Sequence, residues 1–187
     1  MSVFETVKAS FGANWTTVLV GWEGLGAFSP WPDRWIEFPP LILAEEVAAY
    51  ADERLAVASA AVEQDLTVSL SMADLEDKTR EEIRDQLVAL SKLDGGEREI
   101  ELRKWRLALL EQLLERVPQD PLQGLMALTE FWQQWGFPPD SPHEVQGRDN
   151  DIPTSEYYQE ATLNRILARH RAWAEDERAA IEKQQAR

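Results

Sequence analysis

The sequence predicts an all-α fold: six or seven helices in a single helical bundle domain over residues 1–187, with an antiparallel helix hairpin at its centre. Three observations lead there. Apolar residues recur at steps of three and four, the period that places them on one face of a helix. Proline, glycine and capping residues punctuate those runs where helices should start and stop. Only the stretch around Leu66–Leu70 alternates like a strand, and a lone strand has nothing to pair with, so a break or a continued helix is expected there.

The hairpin anchors the prediction. Leu102, Trp105, Leu109 and Leu113 form one apolar stripe, stopped by Pro118, which has no N–H to donate and clashes with the turn before it. Asp120-Pro121 restarts a helix, because the carboxylate accepts orphan N–H groups and proline fits the first helical position. Leu122, Leu125, Leu128, Trp132 and Trp135 follow on one side, and Gly136 closes the helix as a left-handed cap with Pro138 and Pro139 beyond. Two apolar-faced helices joined by a few residues fold back on each other.

The other elements follow in order. Ser2-x-x-Glu5 reads as a capping box that starts a helix over Val3–Phe11. Asn14 caps a second helix with Trp15, Val18, Leu19 and Trp22 facing inward, ended by Gly21, Gly24 and Gly26. Residues 28–40 are too rich in proline for a long helix or a central strand and read as an ordered loop carrying Trp31 and Trp35. Pro40 opens a long helix to about Gln64, with Leu41, Ala44, Ala48, Ala51, Leu55, Ala58 and Val62 as its stripe. Thr79-x-x-Glu82 is a second capping box, starting a helix with Ile83, Leu87 and Leu90 inside and Gly95-Gly96 at its end. Residues 138–153 read as a surface loop, being polar and rich in Pro, Asp and Gly. A last helix from about Ser155 carries Leu163, Ile166, His170, Trp173 and Ile181 on its inner side.

The net charge of −15 disfavours nucleic-acid binding, since acidic surfaces repel phosphates, and favours basic partners. The acidity is segregated. Residues 37–77 hold ten acids against Arg54 alone, while residues 97–120 and 156–187 are nearly balanced. Charge runs are ordinarily solvated faces, but the same excess also suits docking of a basic protein. There is no cysteine, which excludes disulfides and thiol catalysis and fits a reducing compartment. No run of about 18 apolar residues predicts a membrane span, and the first residues lack the pattern of a signal peptide, so a cytoplasmic protein is expected.

Catalytic chemistry is thinly supplied. His143-Glu144 lies in the predicted loop and His170 on the last helix, without HExxH spacing. No GxSxG, phosphate-binding loop or dinucleotide fingerprint occurs. Glu45 and Asp52 lie about two turns apart, too far to share an ion without a second helix, and neither histidine has the Glu-x-x-His spacing of di-metal bundles. No metal, no cofactor and no enzymatic activity are therefore expected.

The Asn14-Trp15 helix with its glycines, Lys104-Trp105, Asp120-Pro121-Leu122 and Phe131-x5-Phe137-Pro138 resemble a family of small all-α bacterial proteins of unknown function, of the polymorphic-toxin immunity type. That resemblance implies a helical, non-enzymatic binder that neutralises a toxin. The expected function is thus an acidic protein-binding protein, with Glu45, Glu46, Asp52, Glu53, Trp31 and Trp35 as the surface for a basic toxin or effector. Two other readings remain open: a ligand-binding domain or enzyme with a pocket between the hairpin and the last helix, lined by His170, Trp173, Trp132 and Trp135, and a secretion chaperone or adaptor.

Overall fold

The caps read from the sequence do start helices. In the computed structural model, which describes residues 1–28, 38–58, 61–71, 75, 77–148 and 150–186, Asn14 Oδ1 accepts from the Thr17 N–H at 2.8 Å and Asp120 Oδ1 from the Gln123 N–H at 2.9 Å. Thr79 and Glu82 close a reciprocal capping box at 3.2 and 2.7 Å. The described residues form nine α-helices and a short 3₁₀ turn over Gly24–Phe28, with no strand among them. The all-α class is therefore observed. The expected Trp31 and Trp35 loop lies outside the described residues.

The chain divides into two compact units, Met1–Trp105 and Arg106–Arg187. The first holds α1 (Val3–Phe11), α2 (Trp15–Glu23), α3 (Ala44–Leu55), α4 (Ala61–Val68), α5 (Arg80–Asp94) and the start of α6 (Arg98–Arg116). All nine residues of α2 are buried, so it forms the unit's centre. Its polar backbone ends must then find protein partners. Asp94, at the end of α5, accepts from the Trp15 N–H and from the Thr16 N–H at 3.3 Å. Together with Asn14 this satisfies the first turn of α2. At the other end, Glu23 is 2% exposed and pairs with Arg84 (2.7 Å) and Arg98. Trp105 donates its indole N–H to the Thr17 carbonyl at 2.9 Å, and its ring stacks on Phe4 with centroids 6.1 Å apart.

The second unit holds the rest of α6, α7 (Pro121–Gln134), α8 (Thr154–Tyr157) and α9 (Glu160–Gln185). Val117, Leu125, Leu128, Tyr157, Leu163, Ile166 and Leu167 form its apolar core. Arg106 lies 5.8 Å from the Trp132 ring, which places a residue well back along α6 beside one well along α7 and makes the pair the expected antiparallel hairpin. Arg106 also lies 5.1 Å from Trp173 and pairs with Asp140 (2.8 Å) and Glu177 (3.3 Å), so its charge is compensated inside the unit.

Several expectations need correction. Gly21 does not end α2; it sits inside the helix, where a Cβ would come within 2.3 Å of Trp105. The third helix starts at Ala44 rather than Pro40, because the Leu41 N–H donates to the Gly21 carbonyl at 2.7 Å and holds that segment against α2. It also ends at Leu55: the alanine-rich run carries no stop signal, yet α4 begins anew at Ala61, with Arg54 tied to Glu63 at 2.8 Å. Val62 is consequently exposed rather than part of a buried stripe, and Leu122 on α7 is exposed as well. The last helix is interrupted at Tyr158–Gln159, where buried Tyr157 donates to the Glu144 carbonyl at 2.5 Å and holds the preceding turn.

Candidate functional site

Two places in the molecule carry surface chemistry that the packing does not require. The first is the acidic stretch of α3 and α4. Of the four carboxylates expected to dock a partner, two have structural duties. Glu46 is half-buried and accepts from the Leu43 N–H at 2.8 Å, capping α3; Glu53 is exposed and pairs with Lys8 at 2.5 Å. Glu45 and Asp52 are exposed and have no partner among the described residues. In the same stretch of sequence, Leu43, Val57, Val62 and Val68 are each roughly half to two-thirds exposed. Val47, Ala48, Tyr50 and Ala51 form the buried side of α3, so the free carboxylates lie off its packed face.

The second place is a cavity of about 450 Å³ in the second unit, between the loop after α7 and the side of α9. Gly136 ends α7 in the left-handed region, as the sequence predicts, and Phe137 follows it there with φ +49°, an uncommon conformation for a residue with a Cβ. Its N–H donates to the Trp132 carbonyl at 2.8 Å, which holds the turn. Phe137, Pro138 and Pro139 supply apolar lining, and Arg148 lies over the Phe137 ring at 5.1 Å. Glu144 accepts from Arg165 at 2.7 Å and from Arg169 at 3.2 Å. Arg165 holds its carboxyl below the usual carboxylate range.

His143 lines the same cavity. The Thr129 hydroxyl donates to the Leu125 carbonyl at 2.8 Å, so the His143 Nε2–H donates to Thr129 at 2.8 Å and Nδ1 is left a bare acceptor, buried and without a partner. Burial, then the neighbouring His170 ring at 5.5 Å, pushes His143 down to about 4. His170 is also held neutral. Its Nε2 accepts from Trp132 Nε1 at 2.8 Å and its Nδ1–H faces the Ile166 carbonyl at 2.7 Å, while burial pushes it down to about 4.

The aromatic set expected to line a pocket behaves differently. His170 and Trp132 are fully buried, and Trp132 meets Trp173 edge-to-face at 5.3 Å. These side chains pack on one another, and the cavity is lined instead mostly by residues of the 138–153 stretch, in which Pro142 is buried and His143 half-buried. The sequence reading missed Phe137, Arg148 and Arg169 as site residues. One signal was available. Arg165 and Arg169 are like charges one turn apart, an arrangement that costs stability unless an acid lies between them.

What this fold defines is an all-helical protein among its described residues, with Trp15, Trp105 and Trp132 fully buried. The chain belongs to the DUF2247 family, described as "uncharacterized protein conserved in bacteria", whose family model matches residues 4–178. No curated protein and no solved structure matches it. Among the described residues no helix is long and apolar enough to cross a membrane, and no cluster of three His, Asp or Glu could hold a metal ion.

Proposed function

We propose that this protein is an acidic helical binding protein that captures a basic protein domain through α3 and α4, in the manner of an immunity protein neutralising a toxin or effector. The observation that carries the reading is that one stretch of sequence, residues 43–68, holds both the unpartnered carboxylates Glu45 and Asp52 and the exposed aliphatic side chains Leu43, Val57, Val62 and Val68. Apolar groups left in water offer a partner contact area, and charges of one sign offer it electrostatic steering. Elsewhere in the same unit acids are put to internal use: Glu23, Asp94 and Glu101 are each bonded to neighbouring side chains or backbone.

The test is affinity capture from a native bacterial host using wild type and a Glu45→Lys/Asp52→Lys variant, at low and high salt. The reading expects a protein with a basic domain, held by wild type, released by salt and lost by the variant. Mixing the purified pair then asks whether the partner's toxicity is abolished. A captured effector that keeps its toxicity would favour a secretion chaperone, and a partner held equally by both forms would refute the docking face.

A further inference from the structure

We propose that the cavity beside Phe137 binds a small organic carboxylate with an apolar, ring-sized body. This goes beyond the proposed function and rests on a different part of the chain. The cavity's volume of about 450 Å³ falls in the range of small-molecule pockets. Its lining is split between apolar walls, from Phe137, Pro138 and Pro139, and charged groups.

The charges are Arg148 and Arg169 against Glu144. Glu144 is already shared by Arg165 and Arg169, so its charge is answered within the protein. Arg148 has no carboxylate partner among the described residues and touches the Phe137 ring instead. Arg169 uses Nη1 on Glu144, which leaves its other donors for a guest. Among the described residues the lining therefore carries Arg148 and Arg169 against Glu144, a surplus of cation on a molecule whose net charge is −15. A local surplus of cation against that background matches an anion, and guanidinium donors match carboxylate geometry. His143 is held neutral beside it and supplies no further cation.

The holding of Phe137 in the left-handed region is consistent with this use. A non-glycine residue is strained in that conformation, and such strain concentrates at binding sites. Here it brings an aromatic ring to the cavity wall beside Arg148.

The experiment is calorimetric titration of the full chain with naphthoate, with its uncharged amide, and with naphthyl phosphate. Naphthoate should bind at one saturable site, and the amide about tenfold more weakly or worse, the loss expected for a charge-assisted hydrogen bond. Arg148→Gln and Arg169→Gln should each weaken naphthoate by about tenfold on the same basis. Arg148 is exposed, so its variant should keep the wild-type melting temperature; should Arg169→Gln fail to fold, Arg148→Gln decides alone. Absence of saturable naphthoate binding, equal affinity for the amide, tighter binding of the phosphate, or unchanged affinity in a folded arginine variant would each overturn the proposal. The Glu45→Lys/Asp52→Lys variant should bind naphthoate as wild type does, which separates this site from the docking face.

Discussion

Replacing Gly21 by alanine should destabilise the protein, although glycine-to-alanine changes inside helices normally do the reverse. In an exposed helix interior the change gains about 1 kcal/mol, because glycine loses more backbone freedom on folding. At Gly21 the new Cβ would stand 2.3 Å from Trp105 Cζ2 and 2.9 Å from Cη2, well inside ordinary van der Waals contact. Trp105 has little room to retreat. It is 0% exposed, its ring stacks on Phe4, and its indole N–H is tied to Thr17, one turn back along the same helix as Gly21. Overpacking of this kind costs about 1–3 kcal/mol. Losing the indole hydrogen bond as the ring shifts would add about 1 kcal/mol. Set against the propensity gain, the net loss should be about 1–3 kcal/mol. Urea unfolding followed by circular dichroism measures it, and the cycle with Trp105→Phe isolates the cause: with a smaller ring opposite, the cost of Gly21→Ala should shrink. A Gly21→Ala protein as stable as wild type, or a cost unaltered by Trp105→Phe, would refute this account of why α2 and α6 lie so close.

Asp94→Ala should cost about 2 kcal/mol in the same assay, since it leaves the Trp15 and Thr16 N–H groups of a fully buried helix end without an acceptor. His170 should make stability depend on acid. The folded protein keeps it neutral down to about pH 4, whereas the unfolded chain takes up its proton below about 6.5; its contribution is complete above 6.5 and is lost as pH falls towards 4, on the order of 3 kcal/mol in all. His170→Gln, which can still accept from Trp132 and donate to Ile166, should make the fall of the melting temperature between pH 6.5 and 4 shallower, the remainder coming from His143, which is also pushed down to about 4; an unchanged profile would sink this assignment. Glu45→Lys/Asp52→Lys should leave the melting temperature near that of wild type, because exposed unpaired charges contribute little. Glu46→Lys should lower it by about 1 kcal/mol of stability through loss of the α3 cap.

The legible parts of the fold are those with local causes. Asn14, Thr79 and Asp120 each satisfy backbone donors three residues away, so their role is visible in a short window of sequence. The inner faces of α5 and α9 were likewise readable, because burial of Ile83, Leu87 and Leu90, or of Leu163 and Ile166, repeats with the helical period. What was not legible depends on contacts far along the chain. Gly21 reads as a helix stop until Trp105 is known to lie against it. The late start of α3 depends on a hydrogen bond from Leu41 to Gly21, and the break after Leu55 has no proline or glycine to announce it. Residues 138–153 read as a solvated loop on composition alone, yet Thr129 on α7, Tyr157 on α8 and Arg165 with Arg169 on α9 all reach into it, and that fixes the cavity.

The same distinction bears on the acidic face, where sequence counting treated four carboxylates as one group. The structure separates them by what they do. Glu46 belongs to the helix start and Glu53 to Lys8, so neither owes its presence to a partner. Glu45 and Asp52 have no such duty among the described residues, and mutual repulsion across an acidic helix makes them a small cost to the folded state. Solubility alone would account for charge, but not for Leu43, Val57, Val62 and Val68 standing in water within the same stretch, since exposed aliphatic groups work against solubility. The proposed docking of a basic partner would account for both. The decisive substitutions are therefore the two carboxylates without internal work, not all four: a loss of binding in Glu45→Lys/Asp52→Lys cannot be blamed on a missing cap or a broken Lys8 pair.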